Sequence, residues 1–286
     1  MEHSIWKTMW KEIRHDKVAM VGLIVFTIMI LLAYIWPFFI DEAAWNAARG
    51  IQFRMQPPAP GAPLGYDNVG RTMLEHLILA TRNSFSIAFL VSIGSVIIGT
   101  IFGLFAGYYG GFVDWVLMRF LDFFTMIPSI MFIIIIVVTI NPGVVGFSIM
   151  LVTFGWMGTA RLMRSMALRQ GSLEYVSASK TLGTPNIIIL FREVTPNLVS
   201  IITANFTFVL AFNMGIEVGL TMLGLGLPQG VHSLGHLIEF GRYAQNLQFR
   251  WWLWLPASII VILAMLCVNF VGQALNRAAD AKKRRA

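Results

Sequence analysis

Six stretches of this 286-residue chain are long and apolar enough to cross a lipid bilayer as helices. A hydrocarbon core about 30 Å thick needs about 20 consecutive apolar residues in a helix. No water is present there to take backbone hydrogen bonds, so each segment must satisfy its own. The stretches are 18–40, 84–107, 115–140, 144–166, 198–220 and 251–275. Composition agrees: 57% hydrophobic residues, 12% charged residues and a mean hydropathy of +0.73 leave too little polar surface to cover a water-soluble domain of this size. The pattern predicts an all-α, polytopic membrane protein with six spans. Lys11, Arg14 and Lys17 give the first stretch a flank like that of a signal peptide. Its apolar run is too long for one, and no small-residue cleavage pattern follows, so it reads as a retained span.

A net charge of +7 invites a nucleic-acid reading. The basic residues lie between apolar runs, however, which points to a membrane surface and to no nucleic-acid partner. Fifteen Lys and Arg fall on the side that holds the termini, against six on the other: Arg49, Arg54, Arg71, Arg82, Arg242 and Arg250. Both termini are therefore expected in the cytoplasm. Trp251, Trp252 and Trp254 then open the last span at the outer interface, where indole rings prefer to sit. The single cysteine, Cys267, lies in an apolar run and excludes a disulfide framework. His3, His15, His76, His232 and His236 show no zinc spacing; His232 and His236 lie four apart without a third ligand, so no metal site is expected.

Residues 1–17 stand apart. Ile5, Trp6, Met9, Trp10 and Ile13 share a helical face, with Lys7, Lys11 and Arg14 off it, as in a helix lying in the inner lipid headgroups. Residues 41–73 form an external segment whose Pro57, Pro58, Pro60 and Pro63 forbid one regular helix. Residues 169–196 form the main cytoplasmic loop. Here Ser172 is placed to cap a helix and Glu174 to sit in its first turn, where the macrodipole favours an anion. Gly183 suits a left-handed stop, and Thr184 is placed to cap a second helix with Pro185 at its first position. Ile187, Ile188, Ile189, Leu190 and Phe191 make that helix apolar, and Pro196 begins the next span. An aqueous loop so apolar calls for a cytosolic partner.

That loop resembles the EAA loop of bacterial ABC-importer permeases, through Glu174, Ala178, Gly183, residues 187–192 and Thr195-Pro196-Asn197. Further residues are similar to the second permease of the dipeptide/oligopeptide/nickel group: Pro63-Leu64-Gly65, Asp67, Gly70-Arg71, residues 106–111, Asp114, Met118-Arg119, Asp122, Pro128-Ser129, Gly155-Trp156, Ala160-Arg161, Glu217 and residues 223–226. Thr72, Ser179 and Leu234 depart from the usual pattern. The resemblance implies a type I ABC-importer permease fold over residues 18–286, in the bacterial cytoplasmic membrane. It implies a homologous second permease, two cytosolic ATPases and an extracytoplasmic solute-binding protein as partners, with membrane lipid around them. It also implies that Glu174, Tyr175, Ala178, Lys180, Gly183, Thr184 and Pro185 couple to the ATPases. The chain has no G-x-x-x-x-G-K-[ST] loop to cradle phosphates, so it is expected to be non-catalytic, with ATP and Mg²⁺ used by the partner subunits. The expected solute is a peptide. Nickel, a metal chelate or an oligosaccharide are alternatives, as is a transporter or channel working alone.

Inside the spans, Ser95, Gly99, Gly103 and Gly107, and likewise Ala211, Gly215 and Gly219, form small-residue ridges suited to helix packing. Asn205, Asn213, Glu217 and Thr221 form a polar stripe. A carboxylate at mid-bilayer must face protein or water, so the stripe is either a pathway wall or gate, or a bond to a companion permease. Arg119 and Asp122 are spaced to pair, and Pro128 to kink its span.

Overall fold

The computed structural model describes the backbone of residues 2–42, 45, 51–140 and 143–283, with side chains from Met9 to Ala279 within those ranges except Ile51. The expected roles of Ile5, Trp6, Lys7, Arg49 and the basic tail beyond Ala279 lie outside the described side chains. In chain order the main helices are α1 (Glu2–His15), α2 (Lys17–Ile35), α3 (Met73–Tyr109), α4 (Gly111–Met126), α5 (Ser129–Ile140) and α6 (Gly143–Gly171). After the 169–196 loop, with α7 (Glu174–Thr181) and α8 (Asn186–Ile189), come α9 (Thr195–Met222), α10 (Leu234–Glu239), α11 (Ala244–Phe249) and α12 (Leu255–Lys283). Five helices are long and apolar enough to cross a membrane, and the bent pair α4–α5 makes a sixth if it is one span.

That pair bends by 62°. A proline disfavours the helical region for the residue before it, and Ile127 is extended at φ −80°, ψ 123°, which breaks the helix ahead of Pro128. The expected kink is thus a full interruption. Pro196 acts differently. Residues Leu190–Val194 widen into a π-turn, and the Thr195 N–H reaches back five residues to the Leu190 carbonyl. The wider turn keeps the proline ring off the carbonyl four residues back, while Asn197 Nδ2 donates to the Glu193 carbonyl at 3.0 Å. As a result α8 and α9 run on as one 37-residue helix, and Pro196 does not start the span.

Apolar burial drives little association between helices already in lipid, so close packing matters more. A Cβ on Gly99 would lie 2.5 Å from the Trp156 carbonyl, and one on Gly107 would lie 2.8 Å from Ala167 Cβ; α3 and α6 meet backbone to backbone along this ridge. The second ridge is looser: Gly215 faces only the Met265 side chain at 3.2 Å, and Gly219 faces open space. Phe85, Leu210, Met214, Leu234 and Leu237, with Ala257, Val261 and Ala264, build the largest core among the described residues, joining α3, α9, α10 and α12. Trp252 turns into that core, so Trp251 is the residue of the triplet left strongly exposed, and the last span begins at Leu255 rather than at Trp251.

Asp16 caps α2 by accepting from the Val18 and Ala19 N–H groups and also pairs with Arg277. Met9 and Ile13 of α1 are buried against Ala204, Ala274, Leu275 and Ala278, so α1 lies against its own protein as well as presenting Trp10 outward. Asp122 pairs with Arg161 at 3.4 Å, not with Arg119, whose guanidinium lies 5.8 Å from the Trp115 ring centroid. The long guanidinium of Arg161 reaches across from α6 and also donates to Thr125 Oγ1 at 3.1 Å. Arg164 holds Asp114 through two bonds of 2.5 and 2.6 Å, a fork geometry that fixes α4 to α6.

Candidate functional site

The 169–196 loop is a hairpin built by backbone geometry. Leu173, extended at φ −81°, ψ 151°, is the residue that precedes α7. Ser172 does not cap it and instead bonds the Arg169 carbonyl at 3.0 Å, while Glu174 occupies the first turn as expected. At the far end Gly183 has φ +79°. The Thr184 N–H bonds the Ser179 carbonyl at 3.1 Å and the Gly183 N–H bonds the Lys180 carbonyl at 3.0 Å. These two bonds are the Schellman stop that a left-handed glycine permits. The next helix starts one residue later than the spacing suggests: Pro185, extended at ψ 138°, precedes it, and Thr184 makes no cap.

Val176, Ile189, Leu190 and Val194 are fully buried against Leu104, Tyr108, Met163 and Ala167, which seats the hairpin on the C-terminal ends of α3 and α6. Ser179, one of the departures from the usual pattern, donates to the Glu193 carboxylate at 2.8 Å and ties the two arms together. Ala178, Gly183 and Pro185 are exposed, as is Lys180, whose amine reaches back toward Tyr108; Leu182 is 85% exposed, and Ile187, Ile188 and Phe191 are between 40 and 48%. Tyr175 lines a cavity of about 720 Å³ with Arg169, Gln170, Glu174 and Asn197. Its hydroxyl donates to Gln170 Oε1 at 2.8 Å, and burial pushes its phenol upward from the usual range.

The polar stripe of α9 turns into the chain itself. Asn205 Nδ2 donates to Thr159 Oγ1 of α6 at 3.0 Å, and Asn213 Nδ2 to Ser92 Oγ of α3 at 2.9 Å. Glu217 is fully buried; its Oε1 accepts from Thr221 Oγ1 at 3.3 Å, and its Oε2 has no hydrogen-bond partner among the described residues. Thr221 Oγ1 in turn accepts from the Leu227 N–H at 3.3 Å.

Residues 99–285 match the family model described as binding-protein-dependent transport system inner membrane component. The chain belongs to this family. Residues 4–58 match the N-terminal transmembrane domain of oligopeptide transport permease C. The permease is 37% identical over 282 residues to the oligopeptide transport system permease protein OppC of Lactococcus lactis subsp. cremoris (strain SK11), covering 98% of this chain and 96% of the relative. It is 32% identical to the Bacillus subtilis (strain 168) protein of the same name, covering 99% and 91%, and 29% identical to that organism's dipeptide transport system permease protein DppC, covering 96% and 85%. It is therefore a multi-pass membrane protein and a non-catalytic permease subunit of an ABC transporter.

At the opposite end, the permease carries a polar knot that sequence reading missed. Asp67, fully buried, accepts from the Val69 and Arg71 N–H groups at 2.9 Å and from Arg71 Nε at 2.8 Å. His76 Nδ1 lies 3.2 Å from Asp67 Oδ2, and His76 Nε2 lies 3.3 Å from His232 Nδ1. The carboxylate can only accept, so His76 offers it a proton only in the tautomer protonated on Nδ1. Trp45 packs edgewise on both imidazoles at 5.4 and 5.1 Å. A cavity of about 320 Å³ opens beside them, lined by Arg71, His232, His236 and Glu239 among others. Nothing in local spacing signals a pair 156 residues apart.

Burial works against the Asp67 charge, but the His76 and Arg71 bonds outweigh it and hold the carboxyl at about 2. Burial, with His76 and Arg71 nearby, lowers His232 to about 4. Both values lie below those of an unfolded chain, near 3.9 and 6.5. The knot's stabilisation is therefore present above those values and is lost as pH falls, first through His232 between about 6.5 and 4, then through Asp67 toward 2. Hydrogen exchange corrected for intrinsic rates should show protection at 66–76 and 225–233 falling from pH 7 to pH 4.5. The α3–α6 ridge should hold steady. Flat protection in the knot would contradict the assignment.

Proposed function

We propose that this permease forms half of the translocation pathway for di- or oligopeptides in an ATP-driven importer of the bacterial plasma membrane. The observation that carries the reading is the 169–196 loop: a Schellman-stopped hairpin that leaves Leu182 uncovered at its turn, and Ile187, Ile188 and Phe191 uncovered on the first turns of a 37-residue helix, which at about 55 Å is longer than a bilayer core of about 30 Å. Such a patch in water favours a protein partner, and two cytosolic ATPases supply it, one docking on this loop through residues 174–185. A homologous permease completes the pathway, and an extracytoplasmic binding protein delivers the solute. The peptide assignment draws on the names of the full-length relatives.

The bent pair α4–α5 counts as one of six spans, and the excess of Lys and Arg beside the termini supports a cytoplasmic location for both. ATP binding, with Mg²⁺ in the partner subunits, draws the loops together and opens the pathway outward; hydrolysis resets it. Asn205 and Asn213 serve the pathway by fastening α9 to α6 and α3, and Glu217 and Thr221, bonded to each other, continue the stripe to the Leu227 turn, which sets the shape of its wall. One experiment in intact cells tests the reading. Cells expressing the full transporter, with a single cysteine near Pro60 or near Lys282, are supplied with a labelled pentapeptide and a membrane-impermeant thiol reagent. Energy-dependent uptake that requires this subunit is expected, with labelling near Pro60 and none near Lys282. Uptake unaffected by loss of the subunit contradicts the peptide assignment, and the reverse labelling contradicts the orientation.

A further inference from the structure

We propose that Tyr108 is the positioning residue through which the inner loop moves α3, an inference that rests on the reading of that loop as the ATPase dock. Tyr108 lies in the last turn of α3 and is 7% exposed. Its hydroxyl donates to Oδ1 of Asn186, the first residue of α8, at 3.1 Å. From the other arm, Lys180 Nζ of α7 lies 5.2 Å from the Tyr108 ring centroid. One side chain therefore touches both arms of the hairpin, on either side of the Gly183 turn.

What Tyr108 is attached to makes the contact consequential. α3 runs unbroken for 37 residues, about 55 Å at about 1.5 Å per residue. Its glycine ridge is seated on the α6 backbone, its middle is bonded to Asn213, and His76 in its first turn belongs to the external knot. A helix held along its length moves as a body rather than bending. Displacement of the hairpin is passed by Tyr108 to the whole of α3, and so to the outer face. The apolar neighbours Leu104 and Phe105 pack on the loop but supply no directional bond; the Tyr108–Asn186 bond fixes which way the hairpin can push.

The test uses the assembled transporter and follows hydrogen exchange in residues 72–80, the outer end of α3, with and without a non-hydrolysable ATP analogue. The wild-type complex is expected to change its exchange there on adding the analogue. Tyr108→Phe keeps the ring and the Lys180 contact but removes the hydroxyl. It should retain the ATPase subunits and basal hydrolysis while the response at 72–80 falls by about two- to tenfold, the range expected for one hydrogen bond. Asn186→Ala should do the same, the double variant should lose no more than either single one, and Asn186→Asp, which keeps an acceptor, should respond as wild type. A wild-type response in Tyr108→Phe, an additive double variant, or no response in the wild type overturns the role of Tyr108. Failure of the wild-type permease to retain ATPase subunits overturns the docking reading, and this proposal falls with it.

Discussion

Gly183→Val should abolish transport while the permease still inserts and accumulates in the membrane. Gly183 holds φ +79°, and a Cβ there would meet nothing within 4 Å, so the penalty is conformational and not steric. The left-handed region costs an ordinary residue roughly 1–2 kcal/mol, and a β-branched one more. Valine escapes that cost by rotating out of the turn, which breaks the bond from Thr184 to Ser179 and re-aims α8. The exposed face carrying Leu182, Ile187 and Ile188 then no longer presents as one surface. Co-purification should show the ATPase subunits lost from Gly183→Val, reduced in Gly183→Ala and largely kept in Gly183→Asn, since asparagine tolerates the left-handed conformation. Wild-type ATPase retention and uptake in the valine variant would remove the loop from the coupling path.

This glycine was legible in the sequence because its signal is local: a helix, a left-handed stop, then a proline. Five of the six apolar stretches were legible for a similar reason, since each run is as long as a bilayer core requires, whereas 115–140 is interrupted ahead of Pro128. Errors of one residue arose where two local solutions compete. Ser172 could cap α7, but an extended Leu173 leaves the serine free to bond the Arg169 carbonyl. Thr184 could cap α8, but Pro185 enters extended and occupies the cap position itself, so the helix starts one residue beyond the threonine's reach. The continuity of α8 with α9 was hidden because a π-turn carries no composition of its own. Partners set by the tertiary fold were beyond reach. Asp122 chose Arg161, 39 residues away, over Arg119 on its own helix. The stripe holding Glu217 was visible as polar, yet which neighbour it faces depends on how α9 rotates against α3, and a single helix does not encode that.

The α3–α6 ridge should be the least tolerant surface in the permease. A Cβ on Gly103 would overlap the Ala160 carbonyl and lie 2.7 Å from Met163 Cβ and 2.8 Å from the Arg164 N. Two of those atoms are backbone of a helix, so no rotamer change relieves them; α6 must move away. In lipid, where apolar surface gains little by leaving one apolar neighbour for another, separating two closely packed helices forfeits dispersion contacts that nothing replaces. Overpacking a tight core costs typically 1–3 kcal/mol, and Gly103→Val adds three carbons where not even one fits. The displacement also pulls at Arg164–Asp114 and Asn205–Thr159, whose α6 partners flank the site. Gly103→Val should therefore give little protease-resistant permease in the membrane. Gly94→Ala should be milder, because its Cβ would press on the movable Val152 side chain at 3.0 Å. Gly158→Ala, on α6 and with nothing within 4 Å of the added carbon, should accumulate as wild type. Trypsin resistance of membrane fractions ranks the three variants. Equal resistance for Gly103→Val and Gly158→Ala would mean that α3 and α6 do not pack backbone to backbone at this ridge.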